Sequence, residues 1–253
     1  MSNYLDLRKK LVKDVNHKFK TNRLGKNYSK LKALLNLEIG AILAFVFVKF
    51  KIKPNQITFL YIFLILIGVY LFFTGQDKFV LVGCLIFFFK NSIDLIDGFI
   101  ARVQKNSSEM GHILDTWAGQ ISLIGFQVAI GLYLYSVLEN INYLYLIIIN
   151  LLTYALDFKK HFLTNKLNFK KKNLDMRDHF FREKLSLKKI IIKVLLFFEY
   201  DGRSRYTDLI LLLILFEMYL GYILLLNLIF IFWSIINLIK FFYKIMRIYE
   251  IYK

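Results

Sequence analysis

Long apolar runs decide which solvent this chain folds in. Phe59–Thr74, Phe79–Phe89 and Leu209–Ile239 are nearly unbroken stretches of aliphatic and aromatic residues. Soluble domains are roughly 45–50% apolar. Here the share is 57%, with 17% aromatic, and the excess is gathered in those runs. The fold expected is therefore all-α: a polytopic membrane protein of six transmembrane helices preceded by an N-terminal interfacial amphipathic helix.

The six spans expected are 56–74, 79–101, 109–136, 142–158, 205–220 and 222–244. Each is near the ~20 residues that cross ~30 Å of hydrocarbon. Gly75–Lys78 and Glu139–Asn142 read as short polar turns, and Gly221 as a tight one. Without a break at Gly221, a helix over Leu209–Tyr243 would be about 50 Å long. Leu31–Phe50 is different, because its apolar core, Ile39–Val48, is too short to span and is bracketed by Glu38 and Lys49. It reads as a helix lying at the interface, ended before Pro54.

The formal charge of +17 has two readings, nucleic acid or an anionic leaflet, and its distribution selects the second. Lys and Arg cluster in Arg8–Lys32, Lys159–Arg205 and Lys240–Lys253, all bordering apolar runs. That placement suits anionic membrane lipids and argues against nucleic acid. With both termini inside, all three blocks are cytoplasmic, as the positive-inside rule requires. The expected organisation is a basic cytoplasmic segment 1–30, the interfacial helix 31–53, a six-helix domain 54–245 containing the basic loop 159–205, and a cytoplasmic tail 246–253. Within the loop, Lys166–Arg182 reads as coil and Leu185–Phe198 as a second interfacial helix. The first 30 residues hold no apolar core of a signal peptide, so insertion is expected to rely on the internal spans. Cys84 is the only cysteine, which excludes a disulfide or a cysteine metal site.

Against this apolar background, three carboxylates stand at the rim of the second and third spans: Asp94, Asp97 and Asp115. Each costs roughly 2.5–3.5 kcal/mol near a helix centre, and less toward its ends. Asp94 and Asp97 share a helix face, and Gly98 beside them leaves room for a ligand at the backbone. A short polar turn returns the chain, Ser107 or Ser108 can cap the next helix, and Gly111 permits close helix contact. Asp115 can then face the first two. Hard oxygen ligands in this number suit Mg²⁺, Mn²⁺ or Ca²⁺, Mg²⁺ with substrate phosphates completing its shell, and Arg102 can serve the same phosphates. The bland alternative is that Asp94 and Asp97 end a helix and pair with Arg102 or Lys105.

The pattern Asp94-x2-Asp97-Gly98-x2-Ala101-Arg102-x8-Gly111-x3-Asp115 resembles the signature of the CDP-alcohol phosphatidyltransferases. Pro54-Asn55-x2-Thr58 resembles the Pro-Asn-x-x-Thr sequence that opens the family's first span. The resemblance implies transfer of a phosphate-linked group from a CDP-activated donor, CDP-diacylglycerol in the first place, to an alcohol acceptor with release of CMP. It implies metal ligation by Asp94, Asp97 and Asp115, and a CDP environment of Gly98, Ala101, Arg102 and Gly111. It also carries the expectation of phospholipid synthesis at a bacterial cytoplasmic membrane, a cytoplasmic site and a homodimer.

One departure matters. The signature continues with a fourth aspartate, the base for the acceptor hydroxyl, and this chain has Gly119 in that slot. No other acidic residue occurs between Thr116 and Leu138. His112, two turns earlier and nearly on the same helix face, is a substitute candidate. Asp157, Asp201 and Asp208 are others. Arg177, Arg182, Arg203 and Arg205 could bind a phosphorylated acceptor or simply acidic headgroups. Two hypotheses stay open, an enzyme with an unorthodox base or a silent member that binds CDP-lipid or metal or scaffolds partners. A transporter is disfavoured because the acids gather at one rim.

Overall fold

The computed structural model describes residues 3–20, 30–104, 106, 108–166 and 205–252. All regular structure there is helical: α1 (Tyr4–Lys20), α2 (Lys30–Lys49), α3 (Pro54–Phe73), α4 (Asp77–Val103), α5 (Glu109–Leu138), α6 (Asn142–Lys166), α7 (Arg205–Leu220) and α8 (Leu225–Tyr252). The coil expected at Lys166–Arg182 lies, beyond Lys166, outside the described residues, as does the helix expected at Leu185–Phe198.

Local sequence accounts for the helix ends. Pro54 occupies the first turn of α3, where its missing N–H costs nothing, and Gln56 Oε1 accepts the Lys53 N–H at 2.9 Å. Ser108 is the cap of α5, its Oγ accepting the Gly111 N–H at 3.0 Å. Gly221 closes the last turn with φ +73°, a conformation that favours glycine. Glu217 explains itself at this turn. Its carboxylate accepts the N–H groups of Leu224, Leu225 and Leu226, the orphan donors at the start of α8. Glu217→Ala is expected to lower stability by about 1–3 kcal/mol, since buried donors lose their acceptor. A drop in unfolding temperature in detergent, largely restored by Glu217→Gln, checks this.

Contacts fix the helix directions. Thr58 meets Asp97, Gly68 meets Phe87 and Phe72 meets Gly83, so α3 and α4 are antiparallel. Tyr143–Asn227, Asn150–Ser234 and Thr153–Asn237 are bonded pairs each separated by 84 residues, so α6 and α8 run parallel. α7, joined to α8 by the tight turn at Gly221, runs in the opposite sense to α8. Asn237 also donates to Asn150 at 2.8 Å, completing a polar seam of the kind that ties helices together in lipid.

α3 is apolar all round. Ile57, Tyr61, Ile65 and Phe72 are buried, while Phe59, Phe63, Leu66, Tyr70 and Phe73 form an exposed stripe at helical spacing. Such a helix belongs in lipid. By length and hydropathy α3, α4 and α5 each suffice to cross a membrane, and the apolar described parts of α6 and α8, Asn142–Tyr154 and Leu225–Ile239, are shorter.

Two findings revise expectation at the N-terminus. The 1–30 segment contains a helix, α1, with Leu7 and Leu11 fully buried against α2 and the end of α4. α2 itself has apolar residues on both sides: Leu37, Ala41, Ala44 and Phe47 are buried, yet Leu34, Leu35 and Ile42 are exposed. It therefore lacks the polar face expected of an amphipathic helix. Leu7, Leu11, Ala41, Ala44, Ile57, Ile96 and Ile100 form a second apolar cluster at the carboxylate end of the bundle.

Candidate functional site

The three carboxylates lie near one another at one end of a cleft between α4 and α5 whose floor is α3. That helix packs along both α4 and α5, whereas α4 and α5 touch each other at few points. The expectation that α5 returns beside α4 is thus corrected: it returns antiparallel to α4 but beside α3. Gly125 is the reason, because a Cβ there would stand 2.7 Å from Ile65. At depth the cleft is closed by Phe87 of α4 and Phe126 of α5, with ring centroids 5.0 Å apart. The ammonium of Lys90 lies over both rings at 5.9 and 5.8 Å. Lys90 is 4% exposed and one turn before Asp94, a buried cation that the sequence reading passed over.

Asp97 anchors the site. It is 5% exposed, accepts the Thr58 hydroxyl at 2.9 Å, and accepts the Gly98 N–H. These bonds fix one rotamer and offset part of the desolvation of a buried carboxylate. Asp94 and Asp115 are exposed, and both lie near enough for their charges to bear on the Asp97 carboxylate. Among the described residues no three acidic, histidine or cysteine side chains are gathered tightly enough to form a ready-made metal cluster.

The glycines divide in role. Gly98 gives space not to an open slot but to Arg102, whose Nη1 would be 3.3 Å from a Cβ there. Gly111 brings α5 against the start of α3, where a Cβ would meet Ser108 Oγ at 3.2 Å and Asn55 Oδ1 at 3.3 Å. Asn55 and Thr58 thereby acquire physical roles: one seats α5 and the other orients Asp97. Ala101 is half-buried in the last turn of α4, and its carbonyl accepts the Asn106 N–H at 2.9 Å. Arg102 is exposed and donates to Asp14 of α1 at 2.7 Å. Sequence reading missed Asp14. Its signal was the Tyr4–Leu7–Leu11 spacing, which Asp14 extends by one turn.

Gly119 is exposed, and a Cβ built on it meets nothing within 4 Å. The slot for a fourth carboxylate is sterically open. His112 is exposed on the first turn of α5. Asp208 is half-buried in the first turn of α7. Lys105, Ser107, Arg177, Arg182, Asp201 and Arg203 lie outside the described residues, as do the side chains of Asp157 and Arg205.

Comparison with known families agrees with this geometry. The family model for CDP-alcohol phosphatidyltransferase matches residues 51–239, about three quarters of the chain. The chain belongs to the CDP-alcohol phosphatidyltransferase family. No curated protein and no solved structure matches it. Membership implies transfer of a phosphate-linked group from a CDP-alcohol to an alcohol acceptor in lipid synthesis, by an integral membrane protein. The family is generally dependent on divalent metal. The residues present fit such an ion in chemistry: all three carboxylates are hard oxygen donors, one is held by Thr58, and the other two are exposed.

Proposed function

We propose that this chain transfers a phosphatidyl group from CDP-diacylglycerol to an alcohol, with release of CMP, at the cleft between α4 and α5. The observation that carries this reading is Asp97, a buried carboxylate held by Thr58 and the Gly98 N–H, with the charges of Asp94 and Asp115 bearing on it. A hard divalent ion, Mg²⁺ or Mn²⁺, held by Asp94, Asp97 and Asp115, would supply Lewis-acid neutralisation of diphosphate charge. Arg102, on the backbone of Gly98, presents its guanidinium to the same phosphates. The acceptor oxygen bonds to the donor's lipid-side phosphorus, the bond from that phosphorus to CMP breaks, and the acceptor proton passes to a base. In this chain the base slot at 119 is empty of a side chain, and His112 is the substitute nearest in sequence on α5.

Six spans, with termini and site on the cytoplasmic face of a bacterial cytoplasmic membrane, complete the reading. The alternating helix directions and the basic blocks support it. A second reading is favoured by one observation, the open space at Gly119: a member that binds CDP-lipid and metal without turnover.

The test is Mg²⁺-dependent CMP release from CDP-diacylglycerol by the purified protein with a panel of alcohols, beside Asp115→Asn. Release that falls at least a hundredfold in Asp115→Asn is expected, in line with losing a charged ligand at the reacting phosphate. Release unchanged by Asp115→Asn would remove the carboxylates from the chemistry. Binding of CDP without release would select the silent reading.

A further inference from the structure

We propose that Asp14, delivered by the N-terminal helix, is a positioning residue for the donor: it holds Arg102 in the orientation that receives the diphosphate. The inference rests on the reading of this cleft as the CDP site and adds α1 to it.

The argument begins with how α1 is docked. Most of its residues are charged or polar, yet Leu7 is 1% exposed and Leu11 fully buried, packed beside Gly40 and Ala41 of α2 and the end of α4. Arg8 clasps Glu38 through two nitrogens, with Nε donating to Oε2 at 2.9 Å and Nη2 to Oε1. That contact holds the Glu38 carboxyl below its usual range. Two buried leucines and a bidentate pair therefore set α1 in one register on the bundle.

Asp14, one turn beyond Leu11, is then carried to Arg102, 88 residues away in sequence, where Oδ2 accepts from Nη2 at 2.7 Å. The pair is asymmetric: the Asp14 side chain is 22% exposed, and that of Arg102 47%. Asp14 thus takes one edge of the guanidinium and leaves another accessible. Nη1 rests over Gly98, the residue next to Asp97. An arginine has five N–H donors in a rigid fork, so holding one edge aims the rest. Without Asp14 the side chain would sample several rotamers and lose that aim on each binding event.

A contact of this kind could instead be a gate, with Asp14 competing against phosphate for the same arginine. The sign of one measurement separates the two. Equilibrium binding of CDP with Mg²⁺ to the full chain in lipid nanodiscs is measured for wild type, Asp14→Asn, Asp14→Glu and Arg102→Ala. Positioning predicts that Asp14→Asn weakens CDP roughly three- to fivefold, the effect of one partly exposed ion pair. It also predicts that Asp14→Glu recovers most of the loss and that Arg102→Ala weakens binding further, with Asp14→Asn then adding nothing in the Arg102→Ala background. In turnover, the donor KM should rise with kcat and acceptor KM unchanged. An unaltered melting temperature for Asp14→Asn separates positioning from loss of α1 docking, and Leu11→Asp, which undocks α1, should reproduce the donor defect. Unchanged or tighter CDP binding by Asp14→Asn overturns the proposal and leaves the CDP site standing. Absence of CDP binding by the wild type overturns both.

Discussion

Gly119→Asp is expected to raise the rate of CMP release by about 10²–10⁴-fold, the usual worth of a positioned general base. The residue lies one turn beyond Asp115 on α5, and a Cβ built there meets no atom within 4 Å. An aspartate side chain enters without displacing anything, so the cost is electrostatic: a further acid joins three already near one another. Replacing a helical glycine also returns a few tenths of a kcal/mol of helix propensity. Gly119→Asn is the control, of the same shape but unable to take a proton. The rise should appear in kcat for Asp and be absent for Asn. If the wild type turns over and Gly119→Asp brings no gain, the proton already leaves by another route. His112→Gln should then cost at least tenfold.

This substitution also locates what could be read from the chain alone. The three long spans α3, α4 and α5 were legible because lipid demands long apolar runs, and Pro54, Ser108 and Gly221 mark helix ends by local rules. α6 and α8 continue past the apolar runs to Lys166 and Tyr252, since backbone bonding carries a helix beyond the hydrocarbon edge. The three aspartates stand out in the sequence because carboxylates beside a span are costly and their spacing is helical. What joins them to the fold does not. Thr58–Asp97 and Asp14–Arg102 pair residues far apart in sequence, and no periodicity encodes such a meeting. α1 escaped because two buried leucines among charged residues are a faint stripe. The seating of α5 on α3 depended on Gly125 against Ile65, a matter of shape rather than pattern.

The second large effect concerns Asp97. Asp97→Asn, made in the more active of the wild-type and Gly119→Asp backgrounds, is expected to reduce CMP release on the order of 10³-fold. Metal-borne charge stabilisation is worth several kcal/mol, and each 1.36 kcal/mol is tenfold in rate. Asparagine keeps the shape and can still accept one hydrogen bond in place of the two from Thr58 and Gly98, so the helix pair should persist. A retained melting transition with lost turnover distinguishes the site from the scaffold. Thr58→Val refines the point. It keeps the volume and the packing beside Pro54 but removes the hydroxyl that fixes the Asp97 rotamer. Loss of such a supporting bond typically weakens metal affinity 10–100-fold. The Mg²⁺ concentration for half-maximal rate should therefore rise by that factor while the rate at saturating Mg²⁺ falls little. A Thr58→Val protein with an unchanged Mg²⁺ requirement would mean that Asp97 needs no orienting partner, and that the buried bond from α3 serves helix packing alone.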